Sequence, residues 1–119
     1  YPMIPSVNSA ISALQAYKTK LGVTAENIAN VNTDEFKKSR ATLKEGINGG
    51  VQVDIKRVNT AGRPYQKREG DQLIEKEGSN VSLEEEVPDM MVIQRTYEAN
   101  LKVLQTQNDM LGTLLDITG

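Results

Sequence analysis

An apolar position recurs every three or four residues along both ends of this chain, and a repeat of that kind folds in only one way. After Val87 it runs through Met90, Tyr97, Leu101, Leu104, Leu111, Leu115 and Thr118, with Gln94 and Asn108 as its polar interruptions. Only an α-helix gathers positions so spaced into a single stripe. Ser82-Leu83-Glu84-Glu85 just ahead has the form of a capping box, a serine N-cap with a glutamate at the third helical position. Three consecutive acids, Glu84 to Glu86, suit the positive end of the helix dipole. Pro88 removes one early hydrogen bond and predicts a kink in the first turns. A helix from Leu83 to Asp116 extends about 50 Å at 1.5 Å per residue, long for a chain of 119 residues.

The other end carries a matching row: Val7, Ile11, Leu14, Leu21 and Ile28, with Lys18 and Ala25 filling the two vacant steps. Pro2 and Pro5 are expected to keep the first residues extended, which makes Ser6 the N-cap. Gly22 weakens the helix by about 1 kcal/mol relative to alanine, so a bend or fray is expected between Lys20 and Thr24. The pattern stops at "NIANVNTDEF", residues 27–36, where Asn30, Asn32 and Thr33 can fold back onto free backbone groups.

Between the rows the texture changes. Residues 34–80 hold most of the glycines and no sustained helical period. "GGVQVDIKRV" alternates, with Val51, Val53 and Ile55 on one side and Gln52, Asp54 and Lys56 on the other, which reads as a half-exposed strand. "TAGRPYQKREGDQ" reads as an exposed charged turn region, with Leu73-Ile74 as a short partner strand. The expected fold is mainly α with a small β element: long N- and C-terminal helices pairing as a coiled coil, joined by a short strand and loop middle segment. Its parts are 1–33 (helix and Asn-rich turn), 34–80 (middle) and 81–119 (C-terminal helix), within one structural domain.

Composition narrows the function. Aromatic residues make up 4% of the chain and tryptophan is absent, which disfavours a thick globular core. With no cysteine and no histidine, thiol chemistry, imidazole bases and the commonest zinc ligands are excluded. Glu84, Glu85 and Glu86 point in different directions around a helix and read as a solvated helix start rather than a metal or acid–base cluster. Gly46 with Gly49-Gly50 lacks the lysine and hydroxyl of a phosphate loop. A net charge of -2, with its basic pairs interleaved with acids, argues against nucleic acid. No apolar run approaches the roughly 20 residues a membrane helix needs, so no membrane insertion is expected. Neither catalysis, a cofactor nor a small-molecule substrate is expected, and "YPMIPSVNSA" has no features of a cleavable secretory signal.

The apolar rows exceed what one partner helix can hide. They describe a subunit that expects neighbours.

"GVTAENIANVNTDEFKKSR" (Gly22 to Arg40) resembles the N-terminal signature of the bacterial flagellar rod and hook axial proteins, in which a helix ends in an Ala-Asn-x-x-Thr turn followed by an aromatic residue. Here those positions are Ala29, Asn30, Thr33 and Phe36. "SNVSLEEEVPDMMVIQRTYEANLKVLQTQNDMLGTLLDI" (Ser79 to Ile117) resembles that family's C-terminal helix, most recognisably in "QRTYEANLKVLQT". The small size and short middle are similar to the proximal rod members. Two departures stand out. The family usually has Pro-Gly where this chain has Asp34-Glu35, and its C-terminal helix commonly lacks a proline at Pro88. The resemblance implies a structural subunit that is exported through the flagellar type III apparatus without cleavage. Such subunits polymerise with copies of themselves and other rod proteins into a hollow tube in the periplasmic rod. The seam residues Val7, Ile11, Leu14, Leu21, Ile28, Met90, Tyr97, Leu101, Leu104, Leu111 and Leu115 would then make the helix contacts. A coiled-coil adaptor or chaperone-like binding module is the alternative.

Overall fold

The computed structural model describes residues 3–47 and 49–118, with the side chains of residues 3–6 and 118 left aside. Helix α1 spans Met3–Ala29 and helix α2 spans Leu83–Thr118. Between them lie four strands: β1 (Ser39–Glu45), β2 (Val51–Arg57), β3 (Pro64–Glu69) and β4 (Gln72–Glu77). They form two separate antiparallel hairpins, β1 with β2 and β3 with β4.

The helices lie side by side and run in opposite directions. Asn27 near the end of α1 meets Glu86 at the start of α2, while Val7 lines a cavity with Leu104 and Leu111 far along α2. The molecule measures 81 × 25 × 17 Å, with a radius of gyration of 21.0 Å. A compact domain of this length would have a radius near 13–14 Å, roughly, so the chain is a rod with little interior. Among the described residues the buried apolar side chains are Ala10, Ala16, Val81 and Ile93. Four polar residues, Thr24, Asn27, Ser79 and Glu86, are buried as deeply.

Several sequence expectations are corrected. α1 begins at Met3, so Ser6 lies within the helix and is not its N-cap. Pro5 is tolerated there because first-turn N–H groups have no intrahelical acceptor to lose. Pro2 lies outside the described residues. α1 runs unbroken through Gly22, and α2 runs unbroken through Pro88. Ser82 starts α2 through its carbonyl, which accepts the Glu86 N–H at 3.0 Å, but the Glu85 carboxylate turns to Lys38 and Arg40 rather than back to the cap.

The partner of β2 is β1, with Leu43 opposite Val53 and Ala41 opposite Ile55, and not Leu73-Ile74. Those two residues belong to β4, which pairs with residues 64–69 of the stretch read as a turn. The β3–β4 hairpin closes through Gly70-Asp71, with Gly70 at φ 63° in the left-handed region that two-residue hairpin turns require. All of β3 is exposed, so it carries no apolar alternation to read. At the base of this hairpin a side chain at residue 62 would strike the Gly78 carbonyl, which explains the glycine there.

Glu35 has φ 63°, the left-handed conformation, at one of the two positions where the resemblance leads to an expectation of Pro-Gly. A Cβ in that region costs roughly 1–2 kcal/mol, and the extra unfolded-state freedom of glycine takes back part of the relief. Glu35→Gly is therefore expected to raise stability by about 0.5–1 kcal/mol. Thermal unfolding by circular dichroism checks this: a melting midpoint that falls would show that the Glu35 side chain contributes something the backbone argument omits.

Candidate functional site

The region that organises the molecule is the junction where α1 ends, β1 begins and α2 starts. Asn27, 1% exposed, faces the strand from the last full turn of α1. Its Oδ1 accepts the Ser39 N–H at 3.0 Å, and its Nδ2 donates to the Ser39 carbonyl at 2.9 Å. One amide thus satisfies both backbone groups of the first strand residue. The same Nδ2 lies 3.4 Å from Glu86 Oε2. Glu86, also 1% exposed, receives the Arg40 guanidinium on its other oxygen at 3.3 Å. Burying a carboxylate is costly unless it is paired and hydrogen-bonded; here Asn27 and Arg40 meet that demand from two other elements.

Fifteen residues earlier on α1, Ser12 repeats the device. Its hydroxyl accepts the Val51 N–H at 2.8 Å and donates to the Val51 carbonyl at 3.1 Å. The β1–β2 hairpin is therefore clamped along α1 at both ends by side chains gripping strand backbone.

The turn after α1 is tied locally. Asn30 Nδ2 donates to the Glu26 carbonyl at 2.9 Å, and Asn30 Oδ1 accepts the Thr33 hydroxyl at 3.0 Å. The Phe36 N–H reaches the Thr33 carbonyl at 3.2 Å, and the half-buried Phe36 accepts the Asn80 N–H. Ala29 ends the helix on its exposed side. Asn80 then ties together two segments: its Oδ1 takes the Lys38 N–H at 2.7 Å, and its Nδ2 donates to the Val58 and Thr60 carbonyls. Ser79 donates its hydroxyl to the Val31 carbonyl.

Ion pairs surround this junction. Glu85 sits with Lys38 and Arg40, and the Lys38 charge, aided by the Arg40 hydrogen bond, holds its carboxyl below the usual range. Glu77 accepts the Lys37 ammonium at 2.5 Å and the Gly62 N–H at 2.7 Å, and both lower its pKa. Tyr65 donates its hydroxyl to Asp34 at 2.7 Å, which raises the phenol's pKa.

Sequence reasoning missed Ser12, Asn27 and Asn80, and its reading of Glu86 as part of a solvated helix start is corrected, since Glu86 is buried against Asn27 and Arg40. The one available signal was their polarity at positions where a helix or its cap turns inward. As for the seam residues, Val7, Leu14, Leu21 and Ile28 are half-buried on α1 while Ile11 is exposed. On α2 the structure brings Met90, Tyr97, Leu104 and Leu111 onto the partly covered side, and it places Leu101 (38% exposed) and Leu115 (69%) outward. The alternate covered positions are Glu86, Ile93, Asn100 and Gln107, one residue before Val87, Gln94, Leu101 and Asn108. Among the described residues no group of acidic side chains could hold a metal ion, and no helix is long and apolar enough to cross a membrane.

Two predictions follow from the junction. Asn27→Leu adds apolar surface yet orphans both Ser39 backbone groups, and should destabilise the chain by at least about 2 kcal/mol in urea unfolding; a neutral result would remove the clamp from the account. The depressed carboxyl pKa values of Glu77 and Glu85 add stability that is complete above their unfolded values near about 4.3. That stability is lost as pH falls through the lower folded values. The melting difference between the native chain and Glu77→Gln/Glu85→Gln should hold from pH 7 to 5 and shrink on further acidification. A difference that is flat down to pH 2 would contradict the pairings.

The comparisons with known proteins meet at this architecture. The family described as flagella basal body rod protein matches residues 8–37, which cover most of α1 and the Asn-rich turn. The family described as flagellar basal body rod FlgEFG protein C-terminal matches residues 76–117, essentially α2 with its lead-in. Flagellar basal-body rod protein FlgC of Agrobacterium fabrum is 24% identical over 98% of this chain and 95% of its own length. FlgC of Borreliella burgdorferi is 27% identical over 97% of each. FlgG of Bacillus subtilis is 51% identical over 45 residues, 38% of this chain but only 17% of that relative, so the chain spans a small part of the longer proteins it matches. With its two ends matched in the proper order and two rod proteins aligned along nearly all of it, the chain belongs to the flagellar basal-body rod protein family.

Proposed function

We propose that the chain is a structural subunit of the flagellar rod that polymerises through α1 and α2 into a hollow axial tube. In this reading its neighbours are copies of itself and other rod proteins, the helices pack as coiled coils only when those neighbours are present, and the subunit reaches the periplasmic rod through the flagellar export apparatus without cleavage.

The observation that carries this reading is the apolar surface the single chain leaves open on α2. Val87, Met91, Val92, Leu101, Val103, Met110 and Ile117 are all exposed, around more than one side of the helix. One antiparallel neighbour, α1, covers only one side. Exposed apolar area on this scale marks a surface made for association, and a helix with apolar residues on several sides is one meant to be surrounded.

Leu101 separates assembly from folding better than Leu104 does, because it is the more exposed of the two while Leu104 is half-buried and lines a cavity with Val7. In Leu101→Asp the single chain should keep its circular dichroism spectrum and its export, while cells carrying it lose rod assembly and motility. The double change Leu101→Asp/Leu104→Asp should abolish assembly completely. Normal swimming in the double variant would refute the assembly role of α2. Light scattering across a concentration series separates the reading from an adaptor: a rod subunit grows into large species with rising helicity, whereas an adaptor stays one small size.

A further inference from the structure

In an antiparallel hairpin the backbone groups of alternate residues point to the partner strand, and those between them point away. In β1–β2 the hydrogen-bonded pairs fall on even-numbered residues, as the bonds from the Gly46 N–H to Gly50 and from the Val58 N–H to Lys38 show. The outward groups belong to odd-numbered residues, which is why Asn27 can take both from Ser39 and Ser12 both from Val51. β1 is the strand nearer α2, where Arg40 reaches Glu86 and Leu43 shares a cavity with Asn100. β2 is therefore the outer edge. Past Val51, its outward groups at Val53, Ile55 and Arg57 have no hydrogen-bond partner among the described residues.

The second hairpin has an edge of the same kind. The bond from the Gly78 N–H to the Arg63 carbonyl sets its phase, so the outward groups of β4 are those of Leu73, Glu75 and Glu77. The Glu77 carbonyl takes the Glu35 N–H, while Leu73 and Glu75 have no such partner among the described residues. The opposite edge, β3, is blunted by Pro64, which has no N–H, and by the charges of Lys67 and Arg68. Each open edge carries a large exposed apolar side chain, Ile55 (51% exposed) on β2 and Leu73 (63%) on β4. An open edge of this kind is a template for another strand.

The two edges fit each other. With β4 of a second copy laid antiparallel on β2 so that Leu73 meets Ile55, outward groups face outward groups at both Ile55–Leu73 and Val53–Glu75, and each pair exchanges two hydrogen bonds. The same register sets Arg57 beside Asp71, opposite charges that are exposed and form no ion pair among the described residues. The directions also agree. β2 runs toward the junction, from the level of Ser12 to that of Asn27. β4 runs back to the junction from the other side, because α2 takes up only about 54 Å of the 81 Å length and the β3–β4 hairpin accounts for the rest. Antiparallel pairing therefore joins copies that face the same way, the hairpin of one lying along the body of the next.

We infer that β2 of one copy and β4 of the next join edge to edge into one antiparallel sheet. The contact is heterologous: a copy that has used its β2 still offers its β4, so the contact extends from copy to copy. It rests on the assembly reading for the presence of neighbours and adds to it a surface that belongs to neither helix.

In this register Lys56 and Gln72 form a non-hydrogen-bonded pair, the closer kind, whose spacing admits a disulfide. The chain has no cysteine of its own. Lys56→Cys and Gln72→Cys are prepared separately, mixed and oxidised at a concentration where the native chain scatters as large species. The mixed disulfide should dominate, and Lys56→Cys/Gln72→Cys within one chain should give a ladder of three chains and more. Same-site disulfides in excess, a yield no higher than with Thr42→Cys in place of Lys56→Cys, or a ladder that stops at two chains overturns the proposal. Adding Arg57→Asp to the Lys56→Cys chain should cut the mixed yield about threefold, and adding Asp71→Arg to the Gln72→Cys chain should restore it. A reversal that recovers nothing also overturns the proposal. Large species without the mixed disulfide would remove this contact and leave assembly through the helices standing, whereas a native chain that stays at single mass at every concentration would remove both.

Discussion

Ser12 and Asn27 solve the problem on which the rest of this molecule depends. A two-stranded hairpin cannot satisfy the outer groups of its strands by itself, and an unpaired buried amide is among the costlier defects a fold can carry. Each of these side chains offers a donor and an acceptor to one backbone residue, Val51 and Ser39, and so fixes β1–β2 along α1. Because Asn27 also reaches Glu86, the interaction that positions the strand also sets where α2 begins.

That arrangement explains how so thin a molecule keeps a defined shape. Among the described residues two of the four buried apolar side chains are alanines, and the largest fully buried side chains are Ile93, Glu86 and Asn27. Apolar burial is not directional, and with so few large side chains inside it cannot alone choose one register between two helices. The polar junction can, because hydrogen bonds to Ser39 and a paired Glu86 are satisfied in only one alignment. The remaining apolar surface faces outward on α2, in keeping with a subunit whose packing is completed by other chains.

The β3–β4 hairpin stands apart from this body. It joins the body at its base through Lys37–Glu77, the Gly62–Gly78 crossing and the Tyr65–Asp34 hydrogen bond, while β3 is exposed along its whole length. The two hairpins therefore differ in attachment: side chains of α1 grip the strand backbone of β1–β2, whereas β3–β4 is tied at its base by a half-buried ion pair, which acidification weakens, and by the exposed Tyr65–Asp34 hydrogen bond.

The sequence by itself determined the two helices and the turn that ends the first, because a three-four repeat and a cluster of Asn and Thr act over a few residues. It also determined the strand at Val51–Ile55, whose alternation is local. Only the tertiary structure decided which side of α2 meets α1. Apolarity favours the row through Val87, Leu101 and Leu115, but the covered side passes through Glu86, Ile93, Asn100 and Gln107, since α1 and β1 bring Asn27 and Arg40 to the glutamate. The pairing of β1 with β2, the β3 strand and the Ser12 and Asn27 clamps were decided there too. Each depends on partners that are distant along the chain or on a surface with no apolar face. A hydrogen bond spanning 39 or 59 residues leaves no periodic trace in the order of amino acids.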